Sequence, residues 1–415
     1  MTVFQKQPIV KQELLALNGD EAVALAVKQS NVDVVAAYPI TPQTIIVEKF
    51  SEYVANGEVQ TEYICTESEH SAITASLSAS LTGARTFTAS ASAGLALMHE
   101  ILFVASGSRA PIVMVVANRA LSAPINIHGD HSDSMAQRDS GWLHIYVENA
   151  QEAYDSILQA FKIAEDLDIS LPIIVGLDGF AISHTLENVQ VLPDEAAAQF
   201  VGERVLPTVI THEGKTAPFK LDPDNPVTMG PNVSPNFYFE FKRQQEEAMK
   251  NALQKIQDIN TKYAALSGRS YGNGLIDTYR LDDAEIAVVV IGSTAGTLKV
   301  LIDELRGEGI KAGLLRLRTF RPFPVEQLQN ALKHLKVIAV MDKSVSFGGF
   351  GGPLFNEVRT ALFDLKQHPI VINYLFGLGG RDSNPHNLRK IFENLQQIAK
   401  TGQTDNAVYY LNLKE

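Results

Sequence analysis

From residue 20 to about 180, short β-rich runs alternate with helical stretches, and this alternation restricts the fold more than any other feature of the chain. The strand-like runs are Val32–Ala37, Glu62–Cys65, Thr86–Ala89, Pro111–Ala117 and Pro172–Gly176, and helical patterns occupy Pro42–Val54, Ser68–Leu81 and Ala93–Ala105. Parallel strands need a crossover of a dozen or more residues, and helices of this length supply one. The segment therefore reads as a mostly parallel sheet with helices on both faces. A second α/β unit runs from about 280 to 415, with strand candidates Ile286–Ile291, Gly313–Arg316, Val337–Met341 and Ile370–Tyr374. Residues 185–235 hold many of the prolines and little periodic pattern, as an ordered arm or linker does. From Phe239 to about Leu266 the pattern is helical and charged, and reads as one long surface helix bridging two domains. The expected division is 1–184, 185–265 and 266–415.

The totals exclude several classes. A chain of 415 residues is long enough for two or three domains, each with its own core. Hydrophobic residues at 45% and charged ones at 20% are ordinary for a globular protein, and the formal charge of −12 speaks against a nucleic-acid partner. No apolar run reaches membrane-spanning length without charges, and the N-terminal MTVFQKQPIVKQELL lacks the apolar stretch of a signal peptide. A cytoplasmic protein with no membrane partner is expected. The single cysteine, Cys65, rules out internal disulfides, and also zinc ribbons or iron–sulfur clusters held by this chain alone. At the end of an apolar strand, Cys65 is expected in the core rather than as a reactive thiol.

Several short stretches carry candidate chemistry. Thr66-Glu67-Ser68-Glu69-His70-Ser71-Ala72 puts a carboxylate at the mouth of a helix directly after a strand, where open α/β sheets bind ligands. The same residues spell T-x-x-E, a capping box in which Glu69 reaches back to the helix start, and on this stretch alone the cap is the simpler reading. In Tyr38-Pro39-Ile40-Thr41-Pro42, Thr41 fits an N-cap and Pro42 the first helical position; the alternative is a helix end and hydroxyl that hold an anion. Arg119 ends the buried run Pro111–Asn118, and serves either a surface salt bridge or a two-point clamp on a carboxylate. His128-Gly129-Asp130-His131-Ser132-Asp133 has the look of a metal cluster but matches no strong metal signature, and reads first as a hydrogen-bonded loop lining the cleft, with a metal site as the alternative. The Gly-rich turns Phe347–Pro353 and Gly377–Asp382 fit no nucleotide fingerprint and read first as tight turns. The helix Ser68–Leu81 is dominated by Ala, Ser and Thr, a composition suited to close helix packing, within the chain or across a subunit boundary.

Taken in order, YPITPQT at 38–44, TESEHSA at 66–72, GLALMHE at 94–100, NRALSAPINIHGDHSDSMAQRDSGW at 118–142 and LRTFRPFP at 317–324 resemble the α subunit of 2-oxoacid:ferredoxin oxidoreductases, most closely the pyruvate type. The resemblance runs from about 17 to 385, and its specificity lies in the joint occurrence of the motifs. It implies a thiamine-diphosphate-binding, pyrimidine-module α/β domain followed by a transketolase C-terminal-like α/β domain. Carried over by position, Glu69 would contact N1′ of the aminopyrimidine, Pro39 would line the pyrimidine pocket, and Thr41 and Arg119 would hold the substrate carboxylate. A Glu–N1′ hydrogen bond favours the imino tautomer, whose 4′ nitrogen can take the thiazolium C2 proton. The implied reaction is oxidative decarboxylation of a 2-oxoacid to an acyl-CoA and carbon dioxide.

Such chemistry needs more than this chain provides. Thiamine enzymes usually hold the diphosphate and its divalent metal with a Gly-Asp-Gly motif followed by an Asn, and Gly176-Leu177-Asp178-Gly179 only brushes that pattern. Cluster-binding cysteines are absent as well. A second subunit carrying the diphosphate, magnesium and at least one iron–sulfur cluster is therefore expected. The implied partners are β-, γ- and δ-type subunits, coenzyme A, and ferredoxin or a flavin/NAD module. Ala93 stands where relatives often have Gln, and His128-Gly129 where the pyruvate type often has Trp-Asn. A bulkier branched or aromatic 2-oxoacid such as phenylglyoxylate, with NAD as final acceptor, is the alternative substrate reading. A non-catalytic scaffold in which Thr66–Glu69 is only a helix cap is the alternative from another class. A self-contained Rossmann dehydrogenase lacks its fingerprint.

Overall fold

The computed structural model of the chain describes residues 10–414; the first nine residues of the stretch examined for a targeting signal lie outside them. Seven strands form the first sheet, ordered Thr319–Arg321, Leu143–Tyr146, Ile173–Asp178, Ile112–Asn118, Thr86–Ser90, Val34–Ala37 and Glu62–Cys65. Neighbours run parallel, apart from the edge strand Thr319–Arg321, which is antiparallel to Leu143–Tyr146. The central strand Ile112–Asn118 is buried along its whole length. Its period-two side chains feed two cores. Val113 and Val115 pack with Tyr154, Ile157 and Phe161 on one face, while Ile112, Met114 and Val116 pack with Leu102 and Trp142 on the other. Burial on both faces is why the run reads as uninterrupted hydrophobics rather than as an alternation.

The second sheet is ordered Ile276–Tyr279, Ala312–Leu317, Ile286–Val290, Val337–Asp342, Ile370–Leu375 and Val408–Tyr410, and only its first pair is antiparallel. Within these two sheets, the strands that the sequence pattern did not indicate are Leu143–Tyr146, Ile276–Tyr279, Thr319–Arg321 and Val408–Tyr410. Each is too short to show a period and is specified by its neighbour in the sheet. Residues 185–235 also hold more order than an arm without pattern. Glu187–Val191 pairs antiparallel with Glu13–Leu17, Asp194–Val201 is a helix, and Thr208–Ile210 pairs with Thr216–Pro218. The expected helix Ala93–Ala105 is two, Ser92–Leu97 and His99–Gly107.

Helix Glu69–Leu81 packs its small-residue face on those two short helices, with Ala72, Ile73 and Leu77 against Leu95, Met98 and Leu102. The bridging helix is continuous over Pro235–Ser267; it starts on a proline in its first turn and ends at Gly268, whose φ of 79° is the left-handed cap. Its buried stripe, Ala248, Ala252, Ile256, Ile259 and Tyr263, follows the helical repeat. Among the described residues, no helix is long and apolar enough to cross a membrane.

The two sheets are joined by a buried ionic cluster. Glu152, on helix Ala150–Ala164 of the first unit, is fully buried and accepts from Arg316 Nη1 at 2.6 Å and Arg318 Nε at 2.8 Å. Arg318 also donates to Ser156 Oγ at 2.9 Å and to the Gly274 carbonyl at 3.0 Å. Burial works to raise the Glu152 pKa, and the charges of Arg316 and Arg318 outweigh it and hold the carboxyl below its ordinary range. A depressed carboxyl pKa stabilises the fold fully above the unfolded value of about 4.3 and ceases to do so as pH falls through the folded value. Glu152→Ala would leave two buried guanidinium groups short of a partner. Urea denaturation at pH 7 should show a loss of about 3–5 kcal/mol. A loss under about 1 kcal/mol, the size of an exposed pair, would mean that the cluster does not join the units.

Candidate active site

Five parallel neighbours of the first sheet end along one edge, and each delivers a residue of interest there. Pro39 and Thr41 follow Val34–Ala37, Glu69 follows Glu62–Cys65, Gly94 follows Thr86–Ser90, Arg119 follows Ile112–Asn118, and Asp178 ends Ile173–Asp178. A parallel sheet gathers these loops because every strand points the same way.

Glu69 is not a cap. Ser68 is the N-cap of helix Glu69–Leu81, extended at φ −159°, and its hydroxyl accepts from Ser71 N at 3.2 Å. The Thr66 hydroxyl instead donates to the carbonyls of Ala37 and Ser68, at 3.2 and 3.0 Å. Glu69 is thus the first helical residue, where a side chain cannot reach back to its own helix start. Its side chain is buried, with 7% of its surface exposed, and it makes no hydrogen bond or ion pair among the described residues. The carboxylate rests on Gly94, where a Cβ would come within 2.5 Å of Oε1 and 2.8 Å of Cδ. A half-enclosed carboxylate with no internal partner, on a floor that admits no side chain, is a fit for an external nitrogen donor such as a protonated pyrimidine ring.

Thr41 and Arg119 come together. Arg119 Nη1 donates to the Thr41 carbonyl at 2.9 Å and Nε to the Asn126 carbonyl at 3.1 Å, while Nη2 has no partner among the described residues. The surface salt bridge considered for Arg119 does not form among those residues. Thr41 is exposed and is not an N-cap. Helix Thr44–Ala55 starts later, behind Gln43. The delay has a local cause: Gln43 N bonds the Ile40 carbonyl at 2.9 Å and Gln43 Nε2 the Tyr38 carbonyl at 2.8 Å, which closes a turn over 40–43. Pro39 is exposed on the same edge. Cys65, expected in the core, is exposed at the end of the edge strand Glu62–Cys65. An edge strand has a neighbour on one side only, so its last residue is left uncovered.

His128–Asp133 is the hydrogen-bonded loop that its composition implies. Asp130 Oδ1 accepts from Ser132 N at 3.0 Å and from its hydroxyl at 2.6 Å. Asp133 is fully buried; burial pushes its carboxyl up to about 6, against hydrogen bonds from Arg119 N, Asn118, Ser92 N and Ser134 N. Among the described residues, no three His, Cys, Asp or Glu side chains gather as a metal site. Both Gly-rich segments are turns. Gly348 and Gly351 have φ of 74° and 77°, and Asn373 Oδ1 accepts from Gly352 N at 2.9 Å. Gly379 docks on the His128–Asp133 loop, its N–H on Asp130 Oδ2 at 3.1 Å and its carbonyl accepting from Asn126 at 3.0 Å.

Asp178 joins the two units at this edge, and the sequence reading did not single it out as a site residue. Its Oδ1 lies 2.5 Å from His131 Nε2, and its Oδ2 accepts from Lys343 Nζ at 2.8 Å and Ser293 N at 2.9 Å. A carboxylate on the last position of a buried strand was the available signal. Asp178, Ser293, Lys343, His128 and Arg381 border a cleft of about 390 Å³ between the units. With its carboxylate committed to these partners, Asp178 is not placed as a Gly-Asp-Gly metal ligand. Gly94, the floor under Glu69, was likewise not singled out, because one glycine in a helical run carries no signal of what lies over it.

A family model described as "Pyruvate flavodoxin/ferredoxin oxidoreductase, thiamine diP-bdg" matches residues 25–261, and one described as "Pyruvate:ferredoxin oxidoreductase core domain II" matches 284–388. The chain belongs to the pyruvate flavodoxin/ferredoxin oxidoreductase family. It is 50% identical over 403 residues to pyruvate synthase subunit PorA of Methanocaldococcus jannaschii, covering 97% of this chain and 99% of that one. The PorA subunit of Thermotoga maritima is 49% identical, over 92% and 94% of the two chains. Ketoisovalerate oxidoreductase subunit VorA of Pyrococcus abyssi is 42% identical, over 99% and 100%. A solved 2-oxoglutarate:ferredoxin oxidoreductase from Magnetococcus marinus, with 2-oxoglutarate, coenzyme A and succinyl-CoA bound, superposes with a TM-score of 0.74. That match covers 92% of this chain and 65% of that one at 20% identity, and shares the fold.

The Asp178 cluster makes acid stability measurable. Burial acts to raise its pKa, and Lys343 and His131 outweigh it and hold it well below the ordinary range. Its contribution is complete above the unfolded value of about 3.9 and is lost as pH falls through the folded one. Lys343→Met removes the larger counter-charge. Unfolding followed by circular dichroism should start at higher pH than in the wild type, with about 3–5 kcal/mol lost at neutral pH. An unchanged acid transition would show that Asp178 does not depend on Lys343.

Proposed function

We propose that this chain is the α subunit of a thiamine-diphosphate-dependent 2-oxoacid oxidoreductase that converts pyruvate and coenzyme A to acetyl-CoA and carbon dioxide, passing electrons to iron–sulfur clusters on partner subunits and on to ferredoxin. The carrying observation is Glu69: a buried carboxylate without an internal partner, seated over Gly94 at the ligand edge of a parallel sheet. Bound thiamine diphosphate supplies the carbon nucleophile and the electron sink for decarboxylation. Glu69 holds a proton at N1′ of the pyrimidine, and exclusion of water strengthens that bond. Pro39 borders the pyrimidine. Arg119 binds the substrate carboxylate through its unengaged Nη2, with Thr41 beside it. Because Nε and Nη1 are already tied to backbone carbonyls, the guanidinium is oriented before substrate arrives.

The same reading assigns the diphosphate, magnesium and clusters to β-, γ- and δ-type partners in the cytoplasm. It also divides this chain into a pyrimidine-binding domain at 1–184, an arm and bridging helix at 185–265, and a transketolase C-terminal-like domain at 266–415. A branched 2-oxoacid is the second substrate reading. It draws on the 42% identity to a ketoisovalerate oxidoreductase subunit, and on the exposed Ala93 next to Gly94. An aromatic acid such as phenylglyoxylate, with NAD as acceptor, belongs in the same test.

The native complex should be brown, and should reduce a dye only when both coenzyme A and a 2-oxoacid are present. Assayed against pyruvate, 2-oxoisovalerate, 2-oxoglutarate and phenylglyoxylate, it should show its highest kcat/KM with pyruvate. Glu69→Ala should assemble with its partners yet lose turnover by at least about a hundredfold, in the range typical of a proton-transfer partner. Gly94→Ala should lower turnover in the same direction, since its methyl displaces the Glu69 carboxylate. Normal turnover by an assembled Glu69→Ala complex would end the proposal.

A further inference from the structure

We propose that Asp133 and Ser92 are positioning residues that clamp the backbone from Arg119 to Ala120, and so set the seat of the substrate carboxylate against the carboxylate of Glu69. This inference rests on the roles proposed above for Arg119 and Glu69.

The central strand makes its last ladder pairing at Asn118, opposite Asp178, so Arg119 is the first residue to leave the sheet. Its N–H has no strand to bond, and Asp133 takes it. Oδ2 of Asp133 accepts from Arg119 N and from Ser92 N, both at 2.9 Å. Oδ1 accepts from Asn118 Nδ2 at 2.8 Å and from Ser134 N at 2.7 Å. Ser92 closes the loop from the other side, its hydroxyl donating to the Ala120 carbonyl at 2.6 Å. One residue further on, Leu121 N donates to Ser132 Oγ at 3.1 Å. Three successive residues are thus held by two short segments from elsewhere in the chain.

Those segments are not interchangeable with ordinary loop anchors. Ser92 opens helix Ser92–Leu97 and sits two residues before Gly94, the floor on which Glu69 rests. It has a φ of +48°, in the left-handed region that residues other than glycine seldom adopt. Such a conformation persists only where its surroundings over-determine it. A single buried carboxylate therefore ties the Arg119 backbone to the first turn of the helix that carries Gly94. Burying a carboxylate is costly unless all its acceptor sites are filled, and here four donors fill them. The Asp133 side chain is fully enclosed, so it acts on substrate only through the groups it holds.

The test uses the assembled complex with pyruvate as the varied substrate and dye reduction as the readout. Asp133→Asn keeps one oxygen and turns an amide donor toward backbone N–H groups. Ser92→Ala cuts only the bond to Ala120. Both should raise KM for pyruvate by at least about fivefold while kcat at saturation stays within about twofold, which is the pattern of lost ground-state positioning. Bound thiamine diphosphate per complex should be unchanged. A purely structural role would instead lower yield and thermal midpoint, with KM left alone. If Asp133→Asn does not assemble, Ser92→Ala decides. Unchanged KM in every assembled variant overturns the clamp. Arg119→Ala is run beside them. If Arg119→Ala raises KM and the other two do not, the clamp alone fails. If Arg119→Ala leaves KM unchanged, the carboxylate-binding role of Arg119 fails, and the clamp falls with it.

Discussion

Parallel strands impose a direction. Each must return through a crossover on the sheet's face, so the carboxyl ends of neighbouring strands come to lie along a common edge. In this chain that edge holds Thr41, Glu69, Gly94, Arg119 and Asp178, drawn from positions far apart in sequence. What separates the acidic residues there is hydrogen bonding. Asp178 is surrounded by His131, Lys343 and Ser293, and Asp133 by four N–H donors. Each is a carboxylate made tolerable in the interior by donors from its own chain. Glu69, 7% exposed, differs from both in having no donor among the described residues. The contrast is more informative than burial alone, because the fold does satisfy two other buried carboxylates at this edge, Asp133 and Asp178.

The junction between the two sheets follows from the same economy of donors and acceptors. The segment Ala312–Arg321 belongs to both units. Its first half is the second strand of the distal sheet, and its last three residues form the edge strand of the first sheet. Arg316 and Arg318 lie on either side of that change of sheet and reach the same Glu152. Asp178 repeats the arrangement at the ligand edge with the loop after Val337–Asp342. Two buried ionic contacts and a shared strand make a hinge between the units costly, so the cleft between them is a fixed feature rather than one formed on closure.

Much of the sheet architecture was readable from the residues because long buried strands announce themselves. Ile112–Asn118 and Val337–Asp342 are continuous apolar runs bounded by turn residues, and both are placed within about two residues of expectation. Leu143–Tyr146 and Thr319–Arg321 were not legible, because a three- or four-residue strand has no period and is specified by its neighbours in the sheet, which for Thr319–Arg321 lie more than a hundred residues away. Local rules erred where tertiary contacts outbid them. T-x-x-E offers a capping box, but Ser68 takes the cap and frees Glu69. Thr41-Pro42 offers a helix start, but Gln43 closes a turn first. Cys65 ends an apolar run, but on an edge strand. Two of those three departures fall at candidate site residues, where local preference is expected to yield to function.

The division of labour between chains also has a physical basis. A diphosphate with its divalent cation needs oxygen ligands on a rigid loop, and iron–sulfur clusters need several thiolates. This chain offers one cysteine, and the one Asp in a Gly-x-Asp-Gly setting is spent on Lys343, His131 and Ser293. What the proposed function takes from it is a carboxylate, Glu69, for a ring nitrogen and a guanidinium, Arg119, oriented by two backbone carbonyls, for a substrate carboxylate. In that proposal Glu69 and Arg119 would work together only if their separation is constant, since one would hold the ring and the other the substrate acid. Their backbones follow different strands, Glu62–Cys65 and Ile112–Asn118. Tying Arg119 N and Ser92 N to the same Asp133 oxygen links the Arg119 backbone to the helix that carries Gly94, on which the Glu69 carboxylate rests.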